Sequence, residues 1–148
     1  MPTTAAKTRN PLSLRLPEAL RSELERQAVN ERRTVSSLLA EMINEGLKSR
    51  RVPGVIYRDE GGYRSPRVAR IGAKVLQIIA AFERNDGDFA TVASVYDWLT
   101  EAELRMALAY WEAFPEEVKA WLQEERDFDP ETFYRDNPWA RPPEPPTG

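Results

Sequence analysis

Histidine and cysteine are both absent from the 148 residues. Without cysteine there is no disulfide framework and no thiol nucleophile. Without histidine the usual zinc ligand sets disappear, and with them Ser-His-Asp and Cys-His catalysis. A carboxylate-only metal site stays open on composition, but no metal site and no cofactor are expected. No run of about 18 apolar residues occurs, so no membrane span is expected. Met1 to Asn10 has no apolar core and does not read as a secretory signal. The expectation is a soluble cytoplasmic protein. Acidic groups such as Asp86/Asp88 and Asp127/Asp129/Glu131 look like loop and tail acids, with no general base beside an obvious partner. The chain is therefore not expected to be an enzyme.

Charge is present but unevenly spread. The formal net charge is −3, yet residues 1–74 carry 15 Lys/Arg against 8 Asp/Glu and residues 75–148 carry 6 against 16. A basic front (+7) and an acidic back (−10) point to an anionic partner at the front, with nucleic acid the first candidate. A solvated charged surface is the plainer alternative.

Periodicity divides the chain. Residues 1–9 read as a disordered arm whose charges are Lys7 and Arg9. Leu12-Ser13-Leu14-Arg15-Leu16 alternates apolar and polar, as a strand with one greasy face does. Pro17 ends it and can open a helix. Leu20, Leu24 and Ala28 then recur at i, i+4, i+8, which predicts an amphipathic helix from Glu18 to about Asn30. After Arg32-Arg33, Thr34 is placed to cap a second helix that carries Val35, Leu38, Leu39, Met42, Ile43 and Leu47 on one stripe. Gly46 falls near its end, and Lys48, Arg50 and Arg51 suit the negative end of its dipole.

Pro53-Gly54 break the chain. Val55-Ile56-Tyr57 and Tyr63-Arg64-Ser65 flank Asp59-Glu60-Gly61-Gly62, a hairpin signal. Pro66 confines the second strand to an edge or a short stretch. Four helices are expected next: Val75 to Phe82, Asp88 to Tyr96, Thr100 to Trp111 behind a capping box closed by Glu103, and a last one from Pro115. From Asp127 onward periodicity fails and five of the last eleven residues are proline, which predicts an extended tail. The boundaries read as 1–9, 10–50, 53–125 and 126–148. The fold class is mainly α, with a hairpin, a four-helix module containing a helix-turn-helix-like pair, and a disordered C-terminal tail.

One strand and two short helices cannot bury their apolar faces alone. Two copies can, by pairing strands into an antiparallel ribbon over a shared core of Leu12, Leu14, Leu16, Leu38, Leu39, Met42 and Ile43. Ser13 and Arg15 then face outward from both chains, where a ribbon fits the major groove. Leu12 to Pro17, the amphipathic helix after it, and Arg33-Thr34-Val35-Ser36-Ser37-Leu38-Leu39 resemble the ribbon-helix-helix repressors of the Arc, MetJ and CopG group. The resemblance implies an intertwined homodimer, or a higher even oligomer, on double-stranded operator DNA. It places Pro11, Ser13 and Arg15 against bases and Thr34, Val35 and Ser36 against backbone phosphate, and Arg32 and Arg33 beside them are further phosphate-contact candidates. Pro11 offers no donor where a polar residue is usual. Arg32 stands where the inter-helix turn often has glycine, which leaves two outcomes: a different turn, or a strained Arg32 that touches phosphate.

Residues 53–122 resemble a small helical antitoxin domain, on Pro53 to Asp59, Phe89 to Tyr96, Leu99 to Trp111 and Phe114 to Val118. That resemblance implies a VapB-type antitoxin whose partner toxin is a PIN-domain ribonuclease. Glu101, Glu103 and Glu112 on the second helix of the helix-turn-helix-like pair would repel phosphate, so that pair is read as structural or protein-binding. Arg58, Arg64, Arg67, Arg70 and Lys74 crowd the hairpin beside Tyr57 and Tyr63, and could meet DNA, an acidic protein or only water. The tail places aromatics among acids and prolines. Phe128, Phe133, Tyr134 and Trp139, with Arg135 and Arg141, are the candidate toxin-binding residues, unless Tyr134 and Trp139 pack back on the helices. A plain transcription or plasmid-maintenance regulator without a toxin is the alternative function.

Overall fold

In the computed structural model the described residues are 10–143. The arm at 1–9 and the final five residues therefore lie outside them. The chain divides after Asn44 into two compact units, and the division falls within a helix.

The first unit contains α1 (Glu18–Asn30) and the front of α2 (Val35–Arg51). Both follow the predicted stripes. Residues 11–17 lie in no helix or strand. Thr34 caps α2 as expected: its Oγ1 accepts from the Ser37 N–H at 3.1 Å. The α1–α2 turn resolves the Arg32 question. Arg32 N–H donates to Val29 O at 3.1 Å and Arg33 N–H donates to Ala28 O at 3.0 Å. Those two bonds are the Schellman closure, which needs a left-handed residue between the helices. Arg32 supplies it with φ +54°, so the glycine-type turn is kept and an arginine bears the strain. Leu24, Ala28 and Leu38 are buried here, with Leu16 and Leu39 packed beside them.

The second unit begins with the end of α2 and turns at Gly54. Its φ is +97°, and a Cβ there would meet Met106 Sδ at 2.8 Å. β1 (Val55–Asp59) and β2 (Arg64–Val68) form an antiparallel hairpin in the register Val55↔Val68, Tyr57↔Pro66, Asp59↔Arg64. Gly61 and Gly62 both take positive φ at its tip, as a two-residue loop of this hand requires. The second strand lies further along than Tyr63–Ser65. A two-stranded ribbon has only edges, so Pro66 sits within it rather than ending it.

α3 (Val75–Arg84), α4 (Phe89–Val95), α5 (Glu101–Ala113) and α6 (Pro115–Asp127) follow. These are the four expected helices. Asp88 caps α4, and Thr100 with Glu103 closes the capping box of α5. α3 is the central element, with Val75, Ile78, Ile79 and Phe82 fully enclosed. They pack with Val55 and Val68 of the hairpin, Leu104 and Tyr110 of α5, and Val118 and Leu122 of α6.

α6 is not the last helix, and the tail is not extended throughout. α7 (Pro130–Asp136) follows, then a 3-10 turn over Pro138–Ala140. Asp129 caps α7 by accepting from the Glu131 and Thr132 N–H groups, and Pro130 occupies its first turn. Proline at that position costs no hydrogen bond, which is why a proline-rich stretch still holds a helix.

Candidate nucleic-acid interface

The alternating segment forms no strand in the single chain, and Pro11 to Arg15 are all exposed. Pro11, Ser13 and Arg15 are exposed, as the base-reading positions would have to be. Of the leucines, Leu12 is 90% and Leu14 57% exposed, while Leu16 is partly covered. The predicted dimer-core residues divide in the same way. Leu38 is buried within one chain and Leu39 partly so, but Met42 and Ile43 are exposed. Leu20, Val29 and Val35 are exposed too, so among the described residues this unit leaves more large apolar side chains exposed than buried.

The turn before α2 collects the predicted phosphate contacts. Thr34, Val35 and Ser36 form the exposed first turn, where free amides and the helix dipole favour an anion. Arg33 is committed internally: its guanidinium donates to Glu41 Oε1 and Ser37 Oγ, each at 2.8 Å, and lies 3.5 Å from Glu31. The hydrogen bond that Arg33 donates to Glu41 raises the Arg33 pKa further. Arg32 is exposed, and among the described residues it makes no ion pair.

The hairpin cations are not a free basic surface. Arg64 donates to both Glu45 oxygens at 2.7 and 3.0 Å and to Tyr57 O at 3.1 Å. Arg67 pairs with Glu60 at 2.9 Å, and Lys74 pairs with the same carboxylate. Hydrogen bonding from Lys74 holds the Glu60 carboxyl below its ordinary range. Arg70 grips both Glu103 oxygens at 2.6 and 2.9 Å and reaches Trp98 O at 3.1 Å. That guanidinium pulls the Glu103 carboxyl down to about 2. The Arg58 guanidinium lies against Gly72. DNA contact by this cluster would have to compete with fixed ion pairs.

A second network escaped the sequence reading. Tyr57 and Tyr110 hydroxyls meet at 2.8 Å, and Tyr110 donates to Glu117 Oε1 at 2.7 Å. Lys48, near the end of α2, pairs with the other Glu117 oxygen, and Lys48 and Arg51 both lie over the Phe114 ring. Burial pushes the Tyr57 hydroxyl up to about 12 and raises Tyr110 still more. Both phenols therefore stay protonated donors.

The tail candidates cluster among themselves. Phe133 lies 5.6 Å from both Phe128 and Tyr134, ring centre to ring centre. Arg141 stacks over Tyr134 and pairs with Glu131 at 3.3 Å, and Arg135 lies 3.3 Å from Asp136. Phe128, Phe133 and Trp139 are exposed, Trp139 at 83%. Tyr134 and Trp139 are not among the side chains packed on the four-helix core.

Among the described residues no three acidic side chains converge as metal ligands, and no helix is long and apolar enough to cross a membrane. No curated protein and no solved structure matches the chain. Residues 12–51 match the family described as CopG-like RHH_1 or ribbon-helix-helix domain, RHH_5. That span takes in the alternating segment, α1, the strained turn and the whole of α2. Residues 12–51 are thus a ribbon-helix-helix domain, which supports a DNA-binding transcription regulator.

Proposed function

We propose that the chain is a homodimeric, operator-binding repressor that also serves as an antitoxin, and that it acts by binding rather than by catalysis. The observation that carries the DNA half is that the alternating segment of the ribbon-helix-helix span lies uncovered in the single chain. Leu12 and Leu14 are left to solvent beside exposed Ser13 and Arg15. A second copy covers the leucines by adding its own segment antiparallel, over a core completed by Met42 and Ile43. Arg15 from each chain then donates both arms of its fork to guanine O6 and N7. Ser13 is a less selective reader, and Pro11 gives shape alone. Backbone phosphate sits at the first turn of α2, at Thr34, Val35 and Ser36, with Arg32 beside it. Arg33 holds the turn.

Arg15→Ala is expected to abolish sequence-specific binding while the dimer stays folded. Gel-shift titration against operator and scrambled duplexes measures it, and unchanged operator affinity refutes the assignment.

The antitoxin half is supported by the tail. Exposed Phe128, Phe133 and Trp139 are rigid apolar anchors, and Arg135 and Arg141 lie within the same short segment. In a PIN-domain ribonuclease, whose acidic residues hold metal, such an arginine competes with the metal for carboxylates. Deleting residues 127–148 is expected to spare DNA binding and lose inhibition of a PIN-domain ribonuclease that co-purifies with the full chain. Full inhibition by the shortened chain leaves the plain regulator standing instead.

A further inference from the structure

α2 contains a glycine that nothing within one chain explains. Gly46 lies in the regular interior of the helix, well before its end at Arg51. Among the described residues the glycines with positive φ are Gly54, Gly61, Gly62, Gly72 and Gly87, so Gly46 keeps ordinary helical backbone. A Cβ there would come within 4 Å of nothing beyond the local helix backbone, so no neighbour in the same chain needs the space. Glycine is also a poor helix former, and alanine at this place would hold the helix better.

Helical spacing puts this glycine in the middle of an apolar face. Met42 and Ile43 lie one turn before it, Leu39 lies two turns before it, and Leu47, one turn after Ile43, closes the edge. Met42, Ile43 and Leu47 are exposed, Leu39 is only partly covered, and Gly46 itself is exposed. The other side of α2 is engaged within the chain. Leu38 is buried, Glu41 holds Arg33, Glu45 holds Arg64, and Lys48 pairs with Glu117. A helix with one side used internally and a glycine at the centre of the other is shaped for close approach by a second backbone. That backbone is a second copy of this chain. The face lies within the ribbon-helix-helix span at residues 12–51, and through Met42 and Ile43 it continues the core proposed above for two copies. A twofold contact is self-complementary, so a residue on the axis meets its own image.

We propose that α2 of one chain crosses α2 of a second copy at Gly46, glycine against glycine, with the two backbones closer than the roughly 8–10 Å between ordinary packed helices. Met42, Ile43 and Leu47 of each chain pack around the crossing. This rests on the homodimer proposed above. It adds the point at which the helices meet, and it carries the shared core beyond Ile43 towards the end of α2.

The test is sedimentation of the full chain, which gives the dimer constant. Gly46→Leu is expected to weaken the dimer by about tenfold or more, although leucine is the better helix former. Asn44→Leu, exposed and two residues away on the far side of α2, is expected to change it by less than about twofold. Because the chain has no cysteine, Gly46→Cys gives a second reading. A crossing at this point brings the two positions within the roughly 4–7 Å between Cα atoms that a disulfide spans. Mild oxidation with diamide is then expected to yield a covalent dimer from Gly46→Cys and none from Asn44→Cys. A wild-type chain that stays monomeric at every concentration overturns the dimer and this inference with it. A dimer that tolerates Gly46→Leu, or that cross-links no better through Gly46→Cys than through Asn44→Cys, overturns the crossing alone and leaves the dimer standing.

Discussion

Residues 10–44 enclose three apolar side chains, Leu24, Ala28 and Leu38, whereas the second unit encloses seventeen around α3. Both stretches are helical, capped and rich in leucine, isoleucine and valine, so composition does not separate them. What separates them is whether each apolar stripe meets another from the same chain. In the second unit the hairpin, α5 and α6 all turn their stripes onto α3. In the first, two helices and a segment without regular structure leave Leu12, Leu14, Met42 and Ile43 outside. A unit that small reaches stability by sharing its core. The proposed self-association follows from how little one chain buries, and the proposed DNA-reading face would come with it.

The sharpest way to break this comparison is to remove a core side chain from the second unit. Ile79→Ala is expected to cost about 2–5 kcal/mol and to lower a melting transition that does not depend on protein concentration. If that transition shifts with concentration, the two units do not differ as described. Next in size is Leu14→Ala. It removes an exposed side chain from one chain, so it leaves the second unit untouched, but it is expected to weaken the dimer by roughly tenfold or more, read by sedimentation. A third test probes the buried polar chain. Tyr110→Phe leaves Glu117 and the Tyr57 hydroxyl each short of a partner, and about 1–3 kcal/mol of stability is expected to go with it, measured by chemical denaturation.

Arg32→Gly should act in the opposite sense. Relief of a left-handed arginine, less the chain entropy of glycine, is expected to stabilise the first unit by about 0.5–1 kcal/mol in thermal denaturation. The same substitution should reduce the salt slope of DNA binding by about one, since a phosphate contact is lost. The smallest effect concerns pH. Glu103 titrates at about 2 beside Arg70 against an ordinary 4.5, so its contribution is complete above about 4.5 and fades as pH falls towards 2. Glu103→Gln keeps the cap geometry but not the charge, and should flatten the acid side of the stability profile.

Much of this was legible in the sequence, because helices are written locally. Thr34, Asp88, Thr100 and Pro115 mark their starts, and apolar spacing marks their faces. α7 was missed for a nearby reason. Prolines and broken periodicity mask it, although Asp129-Pro130 is itself a start signal. Partners of charges were not legible. The hairpin cations stand out in sequence, but Glu45 and Glu103 reach Arg64 and Arg70 only through folding, and nothing local announces it. The Tyr57–Tyr110–Glu117–Lys48 chain failed to show for the same reason: its members lie on four separate elements. Arg32 lies between these cases, since its position was readable and its strain was not.

The central claim is that residues 12–16 become a strand only against a second copy. Amide hydrogen exchange at Ser13, Leu14 and Arg15, followed across a wide range of protein concentrations, tests it most directly. The account predicts protection of alternate amides at high concentration that is lost on dilution, while α3 stays protected throughout. Rapid exchange at every concentration, or protection that ignores dilution, would contradict it.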